Sequence, residues 1–586
     1  MNTRESIFRS RLGRCETELK ELYMELYKNE AMYDSLLENL YRLYQERSNA
    51  LCQRDGEKDG TGWYKSSEML GMMLYIDNFA GDLNGVREKL PYLEKANVNY
   101  IHLMPFLDTV PERSDGGYAV ADFRKVRPDL GTMEDLEALT SACHETGMNV
   151  CMDFVMNHTS QDHEWAKRAR AGEGQYMNRY FFYADPSVPK EYDKTAPQVF
   201  PTTAPGNFTW LPDAGHWVMT TFYPYQWDLN YANPVVFNEM MYNFLYLANR
   251  GVDVVRIDAV PYIWKEIGTT CRNLPQVHTI VRMMRLIGEI VCPSVILLGE
   301  VVMAPEHLAP YFGTVEKPEC HLLYNANTMA TMWHTVATRD VRLLRKQLDI
   351  LAQLPKEQVF LNYIRCHDDI GWGLDYPTLE TWGMEQVAHK KYLSDYFRGY
   401  TGSDARGELY NEDPVTGDAR LCGTAASLCG MEGSDKETAI RLDLMLHALM
   451  LFQSGIPVLY SGDEIGQVND WDYKLDPNKA EDSRYLHRGK MPWELAERID
   501  APDSVEGKLF HGLGKLETVR KENKVFSTQA DFWTFDTGSN QVLGLGRWFE
   551  GKGMLGLFNF GDEDRAVKLE QKTVLVPSGD FLWIDV

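Results

Sequence analysis

Three acidic residues lie at or just after the ends of short apolar runs. Asp258 is in GVDVVRIDAV, Glu300 in VILLGE and Asp368 in NYIRCHDDIG. Cleavage of a glycosidic bond with retention of configuration needs one carboxyl group as proton donor and a second as nucleophile, roughly 5–5.5 Å apart. Adjacent barrel strands supply that separation, and a third acid makes the pocket electronegative, which suits an oxocarbenium-like transition state. We therefore expect these carboxylates to form one glycoside-processing site.

Arg256 precedes Asp258 by two residues, and side chains along a strand alternate with a period of two, so both point to the same side. A guanidinium beside a carboxylate favours the ionised carboxylate that a nucleophile requires. Each segment alone also has an ordinary structural interpretation. Arg256 and Asp258 could form a structural ion pair, Glu300 could be a helix N-cap or a surface acid, and the acids of CHDDIG could cap a helix. The occurrence of all three segments in order favours the catalytic interpretation.

Other polar residues near predicted strand ends fit a sugar-binding site. Asp115 and Tyr118 lie in SDGGYAV, and His158 ends MDFVMNH. A tyrosine ring offers a flat face to a pyranose ring, and Asp, His and Arg side chains hydrogen-bond hydroxyl groups. Each residue alone is more often structural, so the prediction depends on the joint pattern.

Strand-like and helix-like segments alternate through the middle of the chain. This alternation predicts a parallel α/β architecture, most commonly a closed (β/α)₈ TIM barrel. In such a barrel, the residues that follow the strands build the active site at the carboxyl-terminal face. Seven strands are predicted, at Met72–Ile76, Val98–Met104, Asn149–Val155, Val252–Ile257, Val295–Leu298, Val359–Ile364 and Pro457–Tyr460.

Two intervals within the predicted barrel domain, residues 64–523, are too long for ordinary strand-to-helix loops. They cover residues 156–232, after the predicted strand Asn149–Val155, and residues 371–433, after the predicted strand Val359–Ile364. Loops of this length are usually functional insertions. Both follow strands whose ends carry candidate catalytic groups.

Both ends of the chain differ from its middle. Apolar residues recur at helical spacing between Glu16 and Asn49, which predicts a helical hairpin, and the polar run Arg54–Gly62 is interpreted as a linker or loop. An N-terminal helical domain is therefore predicted over residues 1–63. Short β-like runs separated by Gly, Asn and Asp predict an all-β domain over residues 524–586. Its strands are predicted at Phe532–Phe535, Gln541–Trp548, Met554–Phe560, Thr573–Val576 and Phe581–Val586.

The net charge of −25 opposes binding to nucleic acid or to anionic membrane surfaces, and favours a neutral or small partner such as a sugar. No apolar run approaches the roughly 18 residues that a membrane span needs. Residues 1–20 lack the basic start and apolar core of a signal peptide, so a cytoplasmic location is expected. The ten cysteines form neither a C-x-x-C pair nor a zinc-like cluster, which predicts reduced thiols.

A resemblance to the α-amylase superfamily of glycoside hydrolases is carried by five motifs in order: SDGGYAV, DFVMNH, GVDVVRIDAV, LLGE and YIRCHDDIG. Five longer stretches are similar to its amylosucrase and sucrose hydrolase branch: TTFYPYQWDLNYANP, AVPYIWKEIGTTCRNLPQVH, CHDDIGWG, DPVTGDARLCGTAASL and EDSRYLHR. The likeness runs from about Tyr64 to the C-terminus. It implies a barrel with both insertions, a helical N-terminal domain and a C-terminal antiparallel β-sandwich. By motif it implies Asp258 as nucleophile, Glu300 as general acid/base and Asp368 as transition-state stabiliser.

The resemblance also implies roles around the sugar. Asp115 and Arg484 match an ion pair that closes the bottom of the pocket, and Asp369 and Arg420 match positions that contact the fructosyl half of sucrose. Tyr118 matches the residue that stacks on the glucosyl ring. The other residues matched around this ring are His158, Arg256 and His367.

Two departures from the branch concern the N-terminal region, which is shorter, and the path of the acceptor. Pro197 stands where the branch often carries an arginine, and Tyr225 stands where some relatives have phenylalanine. These differences bear on which acceptor is preferred, and they leave the catalytic set unchanged.

The implied reaction is a double displacement in which sucrose gives a glucosyl-enzyme and fructose, and an α-glucan or oligosaccharide accepts the glucosyl unit. A sucrose hydrolase or isomerase fits the same carboxylates, and a non-catalytic sugar-binding barrel is the alternative from a different class. No cofactor is expected. Many relatives hold calcium through an Asn such as Asn157, but the sequence has no dense Asp/Asn ligand cluster, so no metal is predicted.

Overall fold

The computed structural model describes residues 3–303, 305–413, 415–569 and 572–586. Its centre is a closed barrel of eight parallel strands that follow one another in chain order, and the last strand pairs with the first. The TIM-barrel prediction is therefore confirmed. The strands are β1 (Gly71–Leu74), β2 (Tyr100–Leu103), β3 (Asn149–Val155), β4 (Val254–Asp258), β5 (Ile296–Gly299), β6 (Leu322–Tyr324), β7 (Val359–Asn362) and β8 (Ile456–Tyr460).

β6 is the strand that the sequence pattern missed. It has only three residues, LLY, and none of them is β-branched, so it gives little strand signal of its own. Leu322 pairs with Leu298 of β5, and Tyr324 pairs with Leu361 of β7. This strand is therefore defined by its pairing with two neighbouring strands, and strand propensity in the sequence does not predict that pairing.

The barrel closes where β1 pairs with β8 at Gly71. A Cβ atom at Gly71 would lie 2.5 Å from the Tyr100 ring and 2.8 Å from Val458, so no side chain fits there. All residues of the eight strands are buried, as expected for parallel strands covered by helices. The main helices around the barrel are Leu83–Glu88, Leu90–Lys95, Met133–Glu145, Pro234–Ala248, Pro275–Val291, Ala326–Thr338, Arg342–Ala352, Lys436–Phe452 and Val505–Glu522.

Three helices precede the barrel. The first two form the expected helical pair, but the linker expected over Arg54–Gly62 is wrong in its first half. Ser48 accepts a hydrogen bond from the Leu51 N–H at 3.2 Å, and this N-cap starts a third helix that includes the first half of that run. The three helices are Thr3–Tyr27, Glu30–Glu46 and Asn49–Lys58.

A buried ion pair lies where these N-terminal helices meet the barrel. Arg47 Nε and Nη2 donate to the Asp55 carboxylate at 2.7 and 2.8 Å, and Arg47 Nη1 donates to Ala248 O at 3.0 Å. Ser294 Oγ donates to Asp55 Oδ1 at 2.6 Å. Both charged side chains are 1% exposed. The N-terminal helices thus share one continuous core with the barrel.

Both predicted insertions contain regular structure. The insertion after β3 includes three helices and five short strands: Glu164–Arg170, Gly174–Met177, Ser187–Asp193, His158–Ser160, Phe182–Tyr183, Phe208–Leu211, His216–Met219 and Gln226–Asp228. The segment after β7 includes helices Tyr376–Thr381, Gln386–Phe397 and Ala425–Leu428, and a three-stranded sheet of Ile370–Gly371, Glu408–Tyr410 and Arg420–Cys422.

The C-terminal region forms two antiparallel sheets. Val542 and Leu557 of the larger sheet pack against Val567 and Val576 of the smaller one. The strand Arg565–Lys568 was not predicted. The larger sheet has strands Asp531–Phe535, Val542–Phe549, Lys552–Asn559 and Asp580–Asp585, and the smaller has Arg565–Lys568 and Thr573–Val576.

The limits of the three predicted domains stay predictions. Residues 1, 2, 304, 414, 570 and 571 fall within their ranges and lie outside the described residues. Within the described part of the chain, no helix is both long and apolar enough to cross a membrane.

We expect Arg47→Met to lower the free energy of unfolding by about 3 kcal/mol, because it leaves the Asp55 charge buried and uncompensated. The control is Arg9→Met, which removes an exposed pair with Glu5 and should cost less than about 1 kcal/mol. Urea unfolding of both variants measures the difference. Equal midpoints for Arg47→Met and the wild type would contradict the role given to this ion pair.

Candidate active site

The three predicted carboxylates lie beyond the carboxyl-terminal ends of barrel strands or at those ends. Asp258 is the last residue of β4, Glu300 directly follows β5, and Asp368 lies in the loop after β7. Arg256 pairs in register with Asp153 of β3. The barrel therefore brings together acids that are more than 100 residues apart in the chain.

Arg256 lies at the centre of the site. Its Nη1 donates to Asp153 Oδ1 and to Asp258 Oδ1, both at 2.6 Å, and its Nη2 lies 2.9 Å from Glu300 Oε1. The other oxygen of Glu300 accepts the Ala259 N–H at 2.8 Å. Arg256 is 2% exposed. One buried guanidinium thus holds three carboxylates, two of which are the predicted nucleophile and acid/base.

Three carboxylates around one cation leave excess negative charge in a buried place. Burial and the charge of Glu300 raise the pKa of Asp258, and burial also raises the pKa of Glu300. Although burial opposes it, Arg256 and His102 lower the pKa of Asp153 to about 2, and His102 Nε2 lies 2.9 Å from Asp153 Oδ2. Asp153 is therefore ionised, and the excess charge favours a proton on the pair of Asp258 and Glu300.

The third carboxylate belongs to a second group of contacts. His367 Nε2 lies 2.6 Å from the Tyr118 hydroxyl and 3.3 Å from Asp368 Oδ2, and the rings of Tyr118 and His367 stack with centroids 5.6 Å apart. The Tyr118 hydroxyl also donates to Asp153 Oδ1 at 3.1 Å, which connects this group to Arg256. Burial lowers the pKa of His367 most, and the positive charge of Arg256 lowers it further, so the ring is neutral. The Asp368 side chain is 36% exposed and is open to a ligand.

His158 is buried beside this group. Its Nε2 lies 3.2 Å from Tyr118 O, and its Nδ1 lies 3.2 Å from Asn157 Nδ2. Burial lowers the pKa of His158 to about 4, so the ring is neutral at pH 7. These partners indicate a ring that donates from Nε2 and accepts at Nδ1.

A lysine lies beside the asparagine considered for calcium. Lys265 Nζ donates to Asn157 Oδ1 at 2.7 Å, lies 3.0 Å from Asp228 Oδ2 and contacts the Tyr262 carbonyl oxygen. This buried ammonium group thus contacts oxygens that a cation at Asn157 would use. Among the described residues, one group of potential ligand atoms within 4.8 Å of one another is formed by Cys366, His367 and Asp368. It includes the third carboxylate, and the absence of a metal stays a prediction.

Asp115 and Arg484 form the ion pair that the resemblance implies. Arg484 Nη2 lies 2.8 Å from Asp115 Oδ1, and Gln226 Nε2 donates to the other Asp115 oxygen at 3.1 Å. Arg484 also binds Asp482 through Nε and Nη2 at 2.9 and 2.7 Å. Asp115 has a φ of +49°, which places it in the left-handed region. The role of this pair in closing the pocket stays a prediction.

Asp369 and Arg420 also lie together. Arg420 Nη1 is 3.3 Å from Asp369 Oδ1, and Arg420 starts a strand of the second insertion. Near the predicted acceptor path, Arg272 Nη2 donates to Pro197 O at 2.9 Å and its guanidinium lies over the Tyr262 ring. Arg272, from the loop after β4, thus contacts Pro197, the position at which the amylosucrase branch often carries an arginine.

The two insertions contact each other. The hydroxyl groups of Tyr223 and Tyr410 are hydrogen-bonded, and Thr203 Oγ1 donates to Asn411 Oδ1 at 3.0 Å. The Tyr225 ring stacks on Tyr223, with centroids 5.3 Å apart and planes 3° apart. An aromatic wall is therefore built from both insertions.

Sequence reasoning missed Asp153, which binds Arg256, and His102, which binds Asp153. Asp153 and His102 lie inside the buried strands β3 and β2, where polar side chains are costly unless paired, so their positions in apolar runs were a usable signal.

The chain is similar to known proteins of one family. A family profile described as "Alpha amylase, catalytic domain" matches residues 51–369. The chain is 32% identical over 413 residues to the trehalose synthase/amylase TreS of Mycolicibacterium smegmatis, a match that covers 69% of this chain and 64% of that protein. It thus spans less than two thirds of the length of this relative.

Two further comparisons extend over more of the chain. A glucosylglycerate phosphorylase of Allomeiothermus silvanus is 28% identical over 513 residues, covering 85% of this chain and 87% of the relative. The crystal structure of sucrose 6F-phosphate phosphorylase from Thermoanaerobacter thermosaccharolyticum superposes with a TM-score of 0.67 at 19% identity, covering 87% of this chain and 98% of that one. This last likeness shows a shared fold.

Asp153→Asn and Asp258→Asn remove carboxylates that bind the same Arg256 nitrogen, and we expect opposite effects on stability. The lowered pKa of Asp153 contributes stability above its unfolded pKa of about 4, lost as pH falls towards about 2. Asp153→Asn should thus lower the free energy of unfolding at pH 7 by about 2.6 kcal/mol, the stability that goes with its lowered pKa. The pKa of Asp258 is raised in the folded protein. Its contribution to stability is therefore fully present below the pKa that Asp258 has in the unfolded chain, and it is lost as the pH rises through the folded pKa.

Asp258→Asn should therefore raise the melting temperature at pH 7, and this gain should shrink as the pH falls towards about 4. Thermal unfolding at several pH values measures both variants. An Asp258→Asn protein that melts at or below the wild-type temperature at pH 7 would show that excess charge does not govern this site.

Proposed function

The chain belongs to the α-amylase family, and on this premise we propose that it is a retaining enzyme that moves glucosyl units from sucrose to an α-glucan or oligosaccharide acceptor. One observation supports this most directly: Arg256 holds Asp258 and Glu300 on the two terminal nitrogens of a single guanidinium. Retaining cleavage needs two carboxyl groups close together. All three predicted carboxylates are present, which weighs against a non-catalytic sugar-binding barrel.

The proposed reaction has two steps. Asp258 attacks the anomeric carbon and forms a covalent glucosyl-enzyme, while Glu300 gives its proton to the departing fructose oxygen. Ionised Glu300 then takes a proton from an acceptor hydroxyl, which attacks the same carbon from the other side and releases Asp258. Two inversions give net retention. Water in place of the acceptor gives hydrolysis.

These roles need Asp258 ionised and Glu300 protonated, and we assign the states from the surroundings of each acid. The nucleophile must be ionised, and Asp258 Oδ1 makes the shorter contact with Arg256, at 2.6 Å, compared with 2.9 Å for Glu300. The general acid must hold a proton and exchange it, and the Glu300 side chain is 21% exposed, compared with 11% for Asp258. The excess negative charge favours one proton on this pair of acids, and we assign that proton to Glu300. We assign to Asp368 the stabilisation of the oxocarbenium-like transition state.

Sucrose is proposed as the donor from the residues around the carboxylates. The ion pair of Asp115 and Arg484 would close the pocket behind one terminal glucosyl unit. Asp369 and Arg420 would contact the fructosyl half, to which they offer a carboxylate and a guanidinium as hydrogen-bonding groups.

The relatives favour a second candidate function, in which a glucosyl unit is transferred within a disaccharide other than sucrose. A protein named trehalose synthase/amylase is 32% identical to this chain, and the same carboxylates would serve cleavage of trehalose. Hydrolysis or isomerisation of sucrose also uses the same set. The donor and acceptor therefore require a direct assay.

We expect sucrose to give fructose in clear excess over free glucose, and glycogen to be lengthened when it is added. Both sugars are quantified with time, and Asp258→Asn is the control, with activity lower by about 10⁴-fold or more. Equal fructose and glucose would indicate hydrolysis, and a new disaccharide without free sugars would indicate isomerisation. No consumption of sucrose would overturn the donor assignment and direct the same assay to trehalose and maltose.

The loss of cleavage rate in the Glu300→Gln variant should depend strongly on the leaving group of the donor. The proton donor contributes about 10²- to 10⁴-fold for an alcohol leaving group, so sucrose cleavage should fall by this factor. α-Glucosyl fluoride needs little protonation and should be cleaved at nearly the wild-type rate in the first step. Single-turnover release of fructose and fluoride measures the contrast, and equal losses for both donors would contradict the role of Glu300.

The pH dependence provides a separate check on Glu300. Because its pKa is raised, wild-type kcat/KM for sucrose should fall as the pH rises through the pKa of the protonated pair, when the acid loses its proton. The Glu300→Gln variant should lack this alkaline limb. A limb that persists in the variant would assign the titration to another group.

A further inference from the structure

The larger sheet of the C-terminal region has one covered face and one face that is covered only in part. On the first face, Leu545 and Met554 belong to the core shared with the barrel. Side chains along a strand alternate between the two faces, so Trp533 and Trp548 lie on the second face. The smaller sheet covers this second face at Val542, but neither tryptophan belongs to either apolar core. The second face is therefore open at the two tryptophans.

The two tryptophan rings lie flat on this face because each stands opposite a glycine. Trp533 pairs with Gly546 and Trp548 pairs with Gly553 on the neighbouring strands. A Cβ atom would lie 2.2 Å from the Trp533 ring at Gly546, and 2.7 Å from the Trp548 ring at Gly553. Each ring thus covers the backbone of the next strand with one of its faces. Trp548 is 43% exposed, as expected for an indole whose other face is turned to solvent.

The polar and aromatic groups of the described chain leave these rings unoccupied. Within the described ranges, neither indole N–H donates a hydrogen bond, and neither ring has an aromatic or cationic partner. The exposed Trp471 differs in both respects. Its Nε1 donates to Glu432 Oε2 at 2.9 Å, and Lys474 Nζ lies 6.0 Å from its ring centroid. Trp533 and Trp548 therefore keep free donors beside their rings.

An exposed ion pair lies beside Trp548. Asp531 is directly opposite Trp548 on the neighbouring strand, and Lys356 Nζ donates to Asp531 Oδ1 at 2.6 Å. The Lys356 and Asp531 side chains are 45% and 63% exposed, so both can also bind a ligand. A sugar presents an apolar ring face surrounded by hydroxyl groups. A flat indole with hydrogen-bonding groups at its edge matches that pattern.

The size and charge of this surface argue against a protein, nucleic acid or membrane partner. A tryptophan buries at most about 250 Å², so two rings offer about 500 Å². Each partner in a standard protein interface buries about 800 Å². The net charge of −25 opposes a second copy of the chain, nucleic acid and anionic membranes. A neutral polysaccharide meets neither obstacle.

The spacing of the rings suits a chain of sugars. Trp533 and Trp548 are on paired strands and two residues apart in register, which places them about 7–8 Å apart. Each ring also leans over a different neighbouring strand, Trp533 over Gly546 and Trp548 over Gly553. The two rings can therefore stack on different units of one chain.

We propose that Trp533 and Trp548 form a second carbohydrate-binding surface, separate from the carboxylates, which holds a long α-glucan by stacking on two of its glucosyl units. The choice of an α-glucan rests on the proposed function, in which this polymer is the acceptor. The surface retains long acceptors near the enzyme, and it has no part in cleavage of the donor. Short acceptors cannot use it together with the catalytic site.

Binding is tested by electrophoresis through gels that contain glycogen, with Asp258→Asn in every protein so that the polymer is not altered. We expect the double variant Trp533→Ala/Trp548→Ala to bind glycogen about tenfold more weakly than the parent, because two stacking contacts are lost. The matched control is Trp471→Ala, which removes an equally exposed indole and should bind like the parent. Equal binding by the double variant and the parent, or no binding by the parent, would overturn the surface.

Folding is separated from binding by a conservative change. Trp548→Tyr keeps a flat ring and should retain most of the glycogen binding, whereas Trp548→Ala should not. The melting temperature of each variant is measured alongside. Equal glycogen binding by Trp548→Tyr and Trp548→Ala would show that stacking on this ring does not hold the polymer.

Kinetics with otherwise unchanged protein provide a second measurement. The double variant should need about tenfold more glycogen for half-maximal transfer, while kcat/KM for sucrose alone and transfer to maltose stay at wild-type values. An equal loss with glycogen and with maltose would contradict a surface that serves long acceptors. A change from dimer to monomer in light scattering, with glycogen binding intact, would assign the rings to a second copy and overturn the proposal.

Failure of the proposed function can be distinguished from failure of this inference, because the gel measurement needs no turnover. A protein that does not consume sucrose but binds glycogen through the two rings would refute the proposed function and support the surface. A protein that elongates glycogen from sucrose, and whose double variant binds glycogen like the parent, would do the reverse.

Discussion

The site depends on one cation that must compensate three carboxylates in the interior of a barrel. A charge is tolerated in such a place only when it is paired, and the planar fork of Arg256 has donors for Asp153, Asp258 and Glu300 at once. A lysine ammonium is a compact point charge and lacks this fork. Because the acids come from β3, β4 and the end of β5, the parallel pairing of these strands is what brings them to one guanidinium. The charge that remains uncompensated favours the proton that the proposed mechanism uses.

A line of contacts connects this centre to the third carboxylate. His102 binds Asp153, the Tyr118 hydroxyl binds Asp153 and His367, and His367 lies against Asp368. These residues come from β2, β3, the loop after β2 and the loop after β7. The positions of Asp258 and Asp368 are thus not independent, since both are fixed through Asp153. A side chain that the sequence reading passed over holds the two halves of the site in register.

The barrel and most of the candidate site were readable from the sequence because apolar runs ending in polar residues are a local signal. Asp258, Glu300 and Asp368 each carried that signal. β6 did not, since three residues become a strand only through their neighbours. The third N-terminal helix was hidden because Gly and charged residues resemble a loop until Arg47 pairs with Asp55.

The contact between the two insertions has a consequence for how this scaffold diversifies. The aromatic wall at Tyr223 and Tyr410 is assembled from segments nearly 190 residues apart in the chain, and neither segment contributes Asp258, Glu300 or Arg256. Changes confined to the rings of this wall would therefore leave Arg256 and its three carboxylates in place. Such a division would let one set of acids serve hydrolysis, transfer or isomerisation when the wall around them differs.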